Sequence, residues 1–216
     1  MEPTKYSTVA LIGKPNAGKS TLINCLIGEE IAIATHKPQT TRTSTKGISN
    51  HDNVQLCFID TPGLFKPNPK RNLEKFIVAN ARKSIKQAHI VVIVLDYSSI
   101  QNINLTIDEC KTFVKQITSI NPKASKNIII ALNKVDLIET KSFDDSFDKE
   151  IINGLLKISK NNIDIVRISG KQNTVEPLLR ILQKISLTGE WKFSDNEYSD
   201  ITERKLSEEI TREQLY

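Results

Sequence analysis

Residues 7–20 read Ser-Thr-Val-Ala-Leu-Ile-Gly-Lys-Pro-Asn-Ala-Gly-Lys-Ser, an apolar run that leads into a glycine-rich turn. The turn has the pattern Gly-x-x-x-x-Gly-Lys-Ser, which predicts a phosphate loop between a buried strand and a helix. Its glycines let backbone N–H groups face a phosphate, and the helix N-terminus adds partial positive charge. Lys19 is expected to bridge the β- and γ-phosphates, and Ser20 to offer its hydroxyl to Mg²⁺. The predicted contacts to the polyphosphate are Gly13, Asn16, Ala17, Gly18, Lys19, Ser20 and Thr21.

The rest of the chain alternates short β-branched runs with helical patterns, which is typical of a mostly parallel sheet covered by helices on both faces. The predicted strands are Ser7–Ile12, Val54–Ile59, Ile90–Leu95, Ile128–Leu132 and Ile163–Ile168. The predicted helices are Lys19–Ile27, Arg71–Gln87, Ile107–Ile120, Asp144–Ser159 and Val175–Leu187. Residues 35–49 predict a polar loop with an edge strand near its end, which makes six strands. Thr106–Glu109 has the form of a capping box, and Gly28 marks the end of the first helix.

The positive charge of the chain is unevenly distributed. The 216 residues carry a formal net charge of +5, whereas residues 190–216 contain eight acidic and four basic residues. A basic surface can bind nucleic acid or an anionic membrane. A lysine-rich composition accounts for the same charge without such a partner, so the sequence leaves both interpretations open.

Cysteine usage and apolar runs indicate the compartment. Cys25, Cys57 and Cys110 are far apart and lack metal-ligand spacing, which predicts buried free thiols in a reducing environment. The longest apolar run, Ile90–Leu95, is too short to span a bilayer, and the first residues lack a signal-peptide core. We therefore expect a cytoplasmic protein whose membrane contact, if any, is peripheral and at the inner face. Separately, we expect a monomer.

A second motif follows the strand Val54–Ile59. Residues 59–64 read Ile-Asp-Thr-Pro-Gly-Leu. At the end of a strand beside a phosphate loop, Asp60 is predicted to hold the Mg²⁺ shell, usually through water. Gly63 can offer its N–H to the γ-phosphate, which would make this loop sensitive to hydrolysis.

The third motif, Asn133-Lys134-Val135-Asp136, predicts the base. The Asp136 carboxylate can accept two hydrogen bonds from the ring N–H and amino group of guanine, whereas adenine would leave this charge unpaired at a cost of roughly 2–4 kcal/mol. Lys134 is expected to lay its stem over the base, and Asn133 to tie this loop to the phosphate loop. Ser169-Gly170-Lys171 follows the last strand and is predicted to direct a backbone N–H to the guanine oxygen.

Together these motifs resemble a translation-factor-class GTPase, and specifically the bacterial Era family. The resemblance includes the phosphate loop, Lys37-Pro-Gln-Thr-Thr-Arg42 as a first switch, residues 60–65, residues 70–96 and the Asn-Lys-Val-Asp motif. It implies a Ras-like P-loop GTPase domain of the α/β class, which binds and hydrolyses GTP with Mg²⁺ and acts as a switch in small ribosomal subunit assembly. The resemblance covers nearly the whole chain.

The end of the chain resembles the entry of that family into its RNA-binding KH domain. The resemblance implies a GTPase domain over residues 1–189, and over residues 190–216 a linker and the first KH helix. No glycine follows Gly189, so a KH domain's Gly-x-x-Gly loop is not encoded here. Binding to ribosomal RNA and the small subunit is therefore expected mainly from a KH domain beyond this chain. Gly170 replaces the family's usual alanine, with little expected effect because the backbone makes the contact.

The resemblance also bears on how water is activated. The family has a hydrophobic residue, here Leu64, where other switch GTPases place a water-orienting glutamine. In related GTPases an asparagine at the position of Asn16 helps to hold K⁺, which predicts a potassium-assisted reaction; the alternative is a turn asparagine bonded to its own backbone. Thr41, or else Thr40, is the predicted second Mg²⁺ ligand. Catalysis by Lys19, Asn16, Thr41 and Gly63 would then consist of positioning and charge neutralisation.

Three alternatives stay open. One is another GTPase of the same class, acting in tRNA modification or ribosome assembly; another is an ATP-using P-loop enzyme, which requires the Asn133–Asp136 motif to be accidental. The third is a nucleotide-dependent RNA-binding module with vestigial hydrolysis. Basic residues in and around both switches would suit an RNA-facing surface or merely a solvated face. They are Lys37, Arg42, Lys46, Lys66, Lys70 and Arg71.

Overall fold

The computed structural model describes residues 2–29, 46–61, 72–138, 145–158, 163–195 and 197–199, with backbone alone for residues 60, 72–77, 145, 147 and 148. The strands are β1 (Lys5–Ile12), β2 (Lys46–His51), β3 (Val54–Asp60), β4 (Ile90–Asp96), β5 (Ile128–Asn133), β6 (Asp164–Arg167) and β7 (Leu187–Thr188). The α-helices are α1 (Lys19–Ile27), α2 (Asn72–Gln87), α3 (Ile103–Ile120), α4 (Asp145–Leu156) and α5 (Glu176–Ile185). Short 3₁₀ turns occur at Tyr97–Ser99, Ala124–Lys126 and Val135–Leu137.

The strands form one sheet in the order β2-β3-β1-β4-β5-β6. All neighbours along this path are parallel except β2, which is antiparallel to β3. This confirms the predicted mostly parallel sheet and its six strands. A short seventh strand, β7, pairs antiparallel with the start of β1.

Strand β1 lies at the centre of the sheet and separates two apolar cores. Val9 and Leu11 point to the core shared with α1 and α5, whereas Ala10 and Ile12 point to the core shared with α2, α3 and α4. All four side chains are fully buried, because successive residues of a strand face opposite sides of the sheet. Helices therefore cover both faces, and β1 ends at Ile12, directly before Gly13, at the edge where the other parallel strands also end.

Helix boundaries differ from the prediction most at the start of α3 and the end of α5; α4 also ends at Leu156, before the predicted Ser159, and α5 begins one residue after the predicted Val175. Helix α3 begins four residues before Ile107, and Asn102 caps it by accepting a hydrogen bond from the Leu105 N–H at 3.0 Å. The predicted capping box is wrong, because Thr106 lies within the helix and donates its hydroxyl to the Asn102 carbonyl at 3.0 Å. The predicted last helix is two residues too long, since Leu187 turns into β7 and donates its N–H to Ser7 Oγ at 3.1 Å. The end of α1 at Gly28 is confirmed.

The residues that follow β7 lie along the β2–β3 edge of the sheet. Residues 191–195 and 197–199, here called the edge strap, are irregular, as predicted. The buried Gln55 side chain accepts the N–H groups of Lys192 and Phe193 at 2.9 and 3.1 Å and donates to the Phe193 carbonyl at 2.9 Å. Farther along, the Ile48 N–H donates to the Tyr198 carbonyl at 2.8 Å. One buried amide on β3 thus holds the start of the strap.

Two of the three cysteines are buried as predicted, and Cys25 is only partly buried. Burial raises the pKa of the Cys110 thiol to about 12. Among the described residues, no helix combines the length and apolarity needed to cross a membrane.

Candidate nucleotide-binding site

Backbone conformation determines the shape of the phosphate loop. Gly13 has φ 155° and Gly18 has φ 88°, both in regions that favour glycine. A Cβ on Gly13 would collide with the Val94 carbonyl oxygen on β4, and a Cβ on Gly18 would collide with the side-chain amide of Asn133. The loop is therefore packed against two neighbouring strands at points where no side chain fits.

The ammonium group of Lys19 lies inside the phosphate loop. Lys19 is 8% exposed, and its Nζ donates to the carbonyls of Gly13 and Lys14 at 3.3 and 2.8 Å. Ser20 and Thr21 are half-buried in the first turn of α1, which contains no acidic residue. The helix N-terminus and the ammonium therefore act in the same direction, towards an anion.

The end of β3 places the predicted carboxylate next to this loop. Asp60 pairs in register with Leu11, two residues before Gly13. The hydroxyl of the buried Thr61 donates to the Leu11 carbonyl, which fixes the chain as it leaves β3. The Asp60 side chain lies outside the described atoms, and Gly63, Leu64, Thr40 and Thr41 lie outside the described residues.

Asn133 joins three loops at the end of β5. It is 2% exposed, and its Nδ2 donates to the Ala17 carbonyl of the phosphate loop at 2.9 Å. Its Oδ1 accepts the Gly170 N–H at 3.1 Å. The predicted tie to the phosphate loop is therefore present, and the same amide also holds the loop after β6.

The base loop consists of residues 133–136, at the end of β5. Its Asp136 is held by the loop that follows β6. Ser169 Oγ, which is fully buried, donates to Asp136 Oδ1 at 2.5 Å. Ser169 is itself fixed, because its Oγ accepts the Gln172 N–H at 3.0 Å and its own N–H donates to Thr174 Oγ1 at 3.0 Å. One carboxylate oxygen is thus anchored, so the orientation of the Asp136 carboxylate is set before any base is present.

The Gly170 backbone lies close to α1, which the sequence did not indicate. A Cβ on Gly170 would lie 3.2 Å from Leu22 Cα, so an added methyl group would press on the helix backbone. The Gly170 N–H already donates to Asn133. The contact of this motif with a base oxygen stays a prediction.

Lys134 links the base loop to the phosphate loop and to β4. Its backbone is left-handed, with φ 66°. Its Nζ donates to the Asn16 carbonyl at 2.7 Å and pairs with Asp96 Oδ2 at 2.6 Å. Lys134 was predicted from its motif, whereas Asp96 and Thr61 were not predicted. The available signal was position: Asp96 ends a parallel strand at the edge where ligands of α/β sheets bind.

Comparisons with known proteins agree with this geometry. Residues 8–134 match the family described as 50S ribosome-binding GTPase. GTPase Era of Ehrlichia ruminantium (strain Gardel) is 37% identical over 212 residues, which is 98% of this chain and 66% of the relative. GTPase Era of Mesorhizobium japonicum is 37% identical over 222 residues, which is 99% of this chain and 64% of the relative. The chain thus spans just under two thirds of the length of these relatives.

Two solved structures of Era share the fold at 30% sequence identity and a TM-score of 0.83, each covering 98% of this chain and 67% of the other. One is Era in complex with MgGDPNP and nucleotides 1506–1542 of 16S ribosomal RNA. The other is an Aquifex aeolicus Era variant bound to GDP and AlF₄⁻. The fold is therefore that of a Ras-like P-loop GTPase domain. Within that class, this chain belongs to the Era family of GTPases.

Proposed function

We propose that this chain binds and hydrolyses GTP as a molecular switch that acts in assembly of the small ribosomal subunit. The observation that carries the proposal is the anchored Asp136 carboxylate, which Ser169 holds at the end of β5. Asn133 connects the base loop to the phosphate loop, so one ligand can reach Asp136 and Lys19 together. A carboxylate at the base position selects guanine over adenine.

The phosphate end of the site fits a magnesium-bound polyphosphate. Ser20 in the first turn of α1 and Asp60 at the end of β3 supply hydroxyl and carboxylate oxygens, the donors that Mg²⁺ prefers. Bound Mg²⁺ would neutralise charge on the β- and γ-phosphates. Lys19 supplies a positive charge from within the loop, and backbone N–H groups of the loop are proposed to bind phosphate oxygens.

Water activation is proposed to depend on Asn16 rather than on a glutamine. Leu64 cannot orient water, whereas Asn16 is exposed on the phosphate loop in a left-handed conformation, with φ 63°. We propose that its side chain helps to bind K⁺, which supplies positive charge at the transition state. Thr41 and the Gly63 N–H are proposed to complete the γ-phosphate site. Hydrolysis should be faster in K⁺ than in Na⁺, and Asn16→Ala should abolish that difference.

We propose that residues 1–189 form the GTPase domain and that residues 190–216 lead into an RNA-binding KH domain. The Era structure solved with 16S ribosomal RNA supports an equivalent RNA partner for the whole protein. We further propose a cytoplasmic monomer. Membrane contact would be peripheral and electrostatic, because the chain carries a formal net charge of +5.

A nucleotide-binding experiment tests the proposal. Calorimetry with Mg²⁺ should show GDP binding at least about 100-fold more tightly than ADP, because adenine leaves the Asp136 carboxylate unpaired. Asp136→Asn should weaken GDP by a similar factor and improve binding of xanthosine diphosphate, whose 2-oxo group accepts from the new amide. Asp108→Asn, on the exposed face of α3, is the matched control and should bind GDP like the unchanged chain. Equal affinity for ADP and GDP would overturn the proposal in favour of an ATP-using enzyme.

A single-turnover experiment separates an enzyme from a binding module. Bound GTP should be converted to GDP and phosphate with Mg²⁺ and K⁺. Tight GTP binding without conversion under these conditions would instead indicate a module whose hydrolysis is vestigial.

A further inference from the structure

The Lys134 ammonium lies between two oxygens that belong to different parts of the fold. Asp96 Oδ2, at the end of β4, is 2.6 Å from Nζ, and the Asn16 carbonyl of the phosphate loop is 2.7 Å away. Both partners of the ion pair are largely shielded, with 28% of the Lys134 and 21% of the Asp96 side chain exposed. Hydrogen bonds between charged groups in such surroundings are stronger than those between neutral groups.

Asp96 is held in place by its own surroundings. Its Oδ1 accepts from Ser98 Oγ at 2.6 Å, and its carbonyl accepts from Ser99 Oγ at 3.0 Å. Its Cα is in register with that of Asn133 across the β4–β5 pair. The carboxylate is therefore held by its place at the end of β4 and by a hydroxyl of the exposed turn that follows.

Lys134 needs such an anchor because its backbone is strained. A left-handed lysine costs about 1–2 kcal/mol relative to the usual helical or extended conformation. At φ 66° the chain turns so that the side chain runs back across Gly18, where Lys134 Cε would lie 3.7 Å from a Cβ on that glycine. The stem thus crosses the phosphate loop, and its end is determined by Asp96 and Asn16.

We propose that Asp96 is a positioning residue for guanine-nucleotide binding. Asp96 holds the Lys134 stem in the position where it covers one face of the base. Through Lys134 it also sets the distance between the base loop and the phosphate loop. The inference rests on the proposed function and adds a residue outside the nucleotide motifs. Asp96 contacts neither the γ-phosphate nor attacking water by this account. Its loss should therefore weaken GDP and GTP by the same factor.

The test is a double-mutant cycle read as affinity for fluorescent GDP and as its dissociation rate. Asp96→Asn keeps the shape of the side chain and removes its charge, and should weaken GDP about tenfold, mostly through faster dissociation. Asp96→Ala should weaken it further, and Asp96→Glu should restore part of the loss. In a Lys134→Met background the Asp96→Asn change should have no additional effect, because the partner that Asp96 positions is gone.

A merely structural role predicts a different pattern. Asp96→Asn would then lower the melting temperature and weaken GDP by the same factor with or without Lys134. The control is Asp108→Asn, which removes an exposed ion pair with Lys111 on α3 and should change neither quantity. Unchanged GDP affinity in Asp96→Asn, or an equal loss in the Lys134→Met background, would overturn the inference while the unchanged chain still binds GDP. Failure of the unchanged chain to bind guanine nucleotides would overturn the proposed function and this inference with it.

Discussion

The phosphate loop and the base loop lie at the same edge of the sheet, but different forces determine their shapes. The phosphate loop depends on backbone conformation, with Gly13 and Gly18 at positive φ and no space for a side chain at either position. The base loop depends on side-chain hydrogen bonds: Asn133 and Lys134 donate to the phosphate loop, and Asp136 accepts from Ser169. Adding a side-chain atom at Gly13 or Gly18 should therefore disrupt the whole phosphate loop. Removing one hydrogen bond from the base loop should instead weaken nucleotide binding only in part.

The largest effect is expected at Gly13. Gly13→Ala forces a Cβ against the Val94 carbonyl at an unfavourable φ, which should cost at least about 3 kcal/mol and abolish GDP binding. Thermal unfolding and calorimetry measure the two effects. Gly28→Ala is the control, because Gly28 has φ 83° and a Cβ added there would meet no heavy atom within 4 Å, so only the conformational cost of about 1 kcal/mol applies. Similar losses in both variants would show that contact with β4 is unimportant.

A smaller loss is expected at Asn133. Asn133→Ala removes two hydrogen bonds and leaves the Ala17 carbonyl and the Gly170 N–H unpaired, which should weaken GDP about 100-fold. Asn127→Ala is the control, because the Asn127 side chain donates to the His89 carbonyl at 3.3 Å, away from both loops. Equal GDP affinity in the two variants would show that the side-chain hydrogen bonds of Asn133 do not determine the base loop.

A still smaller loss is expected at Ser169. Ser169→Ala leaves Asp136 in place but frees the carboxylate to reorient, and should weaken GDP about tenfold while guanine preference persists. Ser186→Ala removes a comparable buried hydroxyl, which donates to the Leu182 carbonyl at 2.7 Å, and should affect stability alone. A complete loss of guanine preference in Ser169→Ala would mean that Asp136 cannot act without this anchor.

The smallest effect concerns pH and should leave both loops unchanged. Burial, together with the charge of Lys192, lowers the pKa of His89, whose Nδ1 accepts the Thr8 N–H at 3.1 Å. The unfolded chain, with a His pKa of about 6.5, then binds more protons than the folded chain. Stability should be fully present above about pH 6.5 and decrease slightly as pH falls through the lowered pKa. Urea unfolding at pH 7.5 and 5.5 would measure this, and His89→Gln should reduce the difference.

The sequence predicted the parallel sheet and the phosphate loop well because both depend on local pattern. Buried strands appear as β-branched runs, and the glycine spacing of residues 13–20 has a direct backbone meaning. Asn133 was also predicted, since it ends a strand. Asp96 was missed because its role depends on a partner 38 positions away on the neighbouring strand. The start of α3 was misplaced because Asn102 and Thr106 are both acceptable caps, and only the fold selects between them.

The attachment of the edge strap, unlike its irregular backbone, was not predicted for the same reason: Gln55 bonds to backbone groups 137 and 138 positions later. Its position has a mechanical consequence. Ser199 forms an antiparallel bridge with Gly47 on β2, and the Ile48 N–H donates to the Tyr198 carbonyl, so tension on the chain that follows Ser199 acts first on these contacts with β2. Strand β2 begins at Lys46, directly after the predicted first-switch segment in the chain. Tension on that part of the chain would therefore reach β2, the strand that follows the predicted first switch in the sequence.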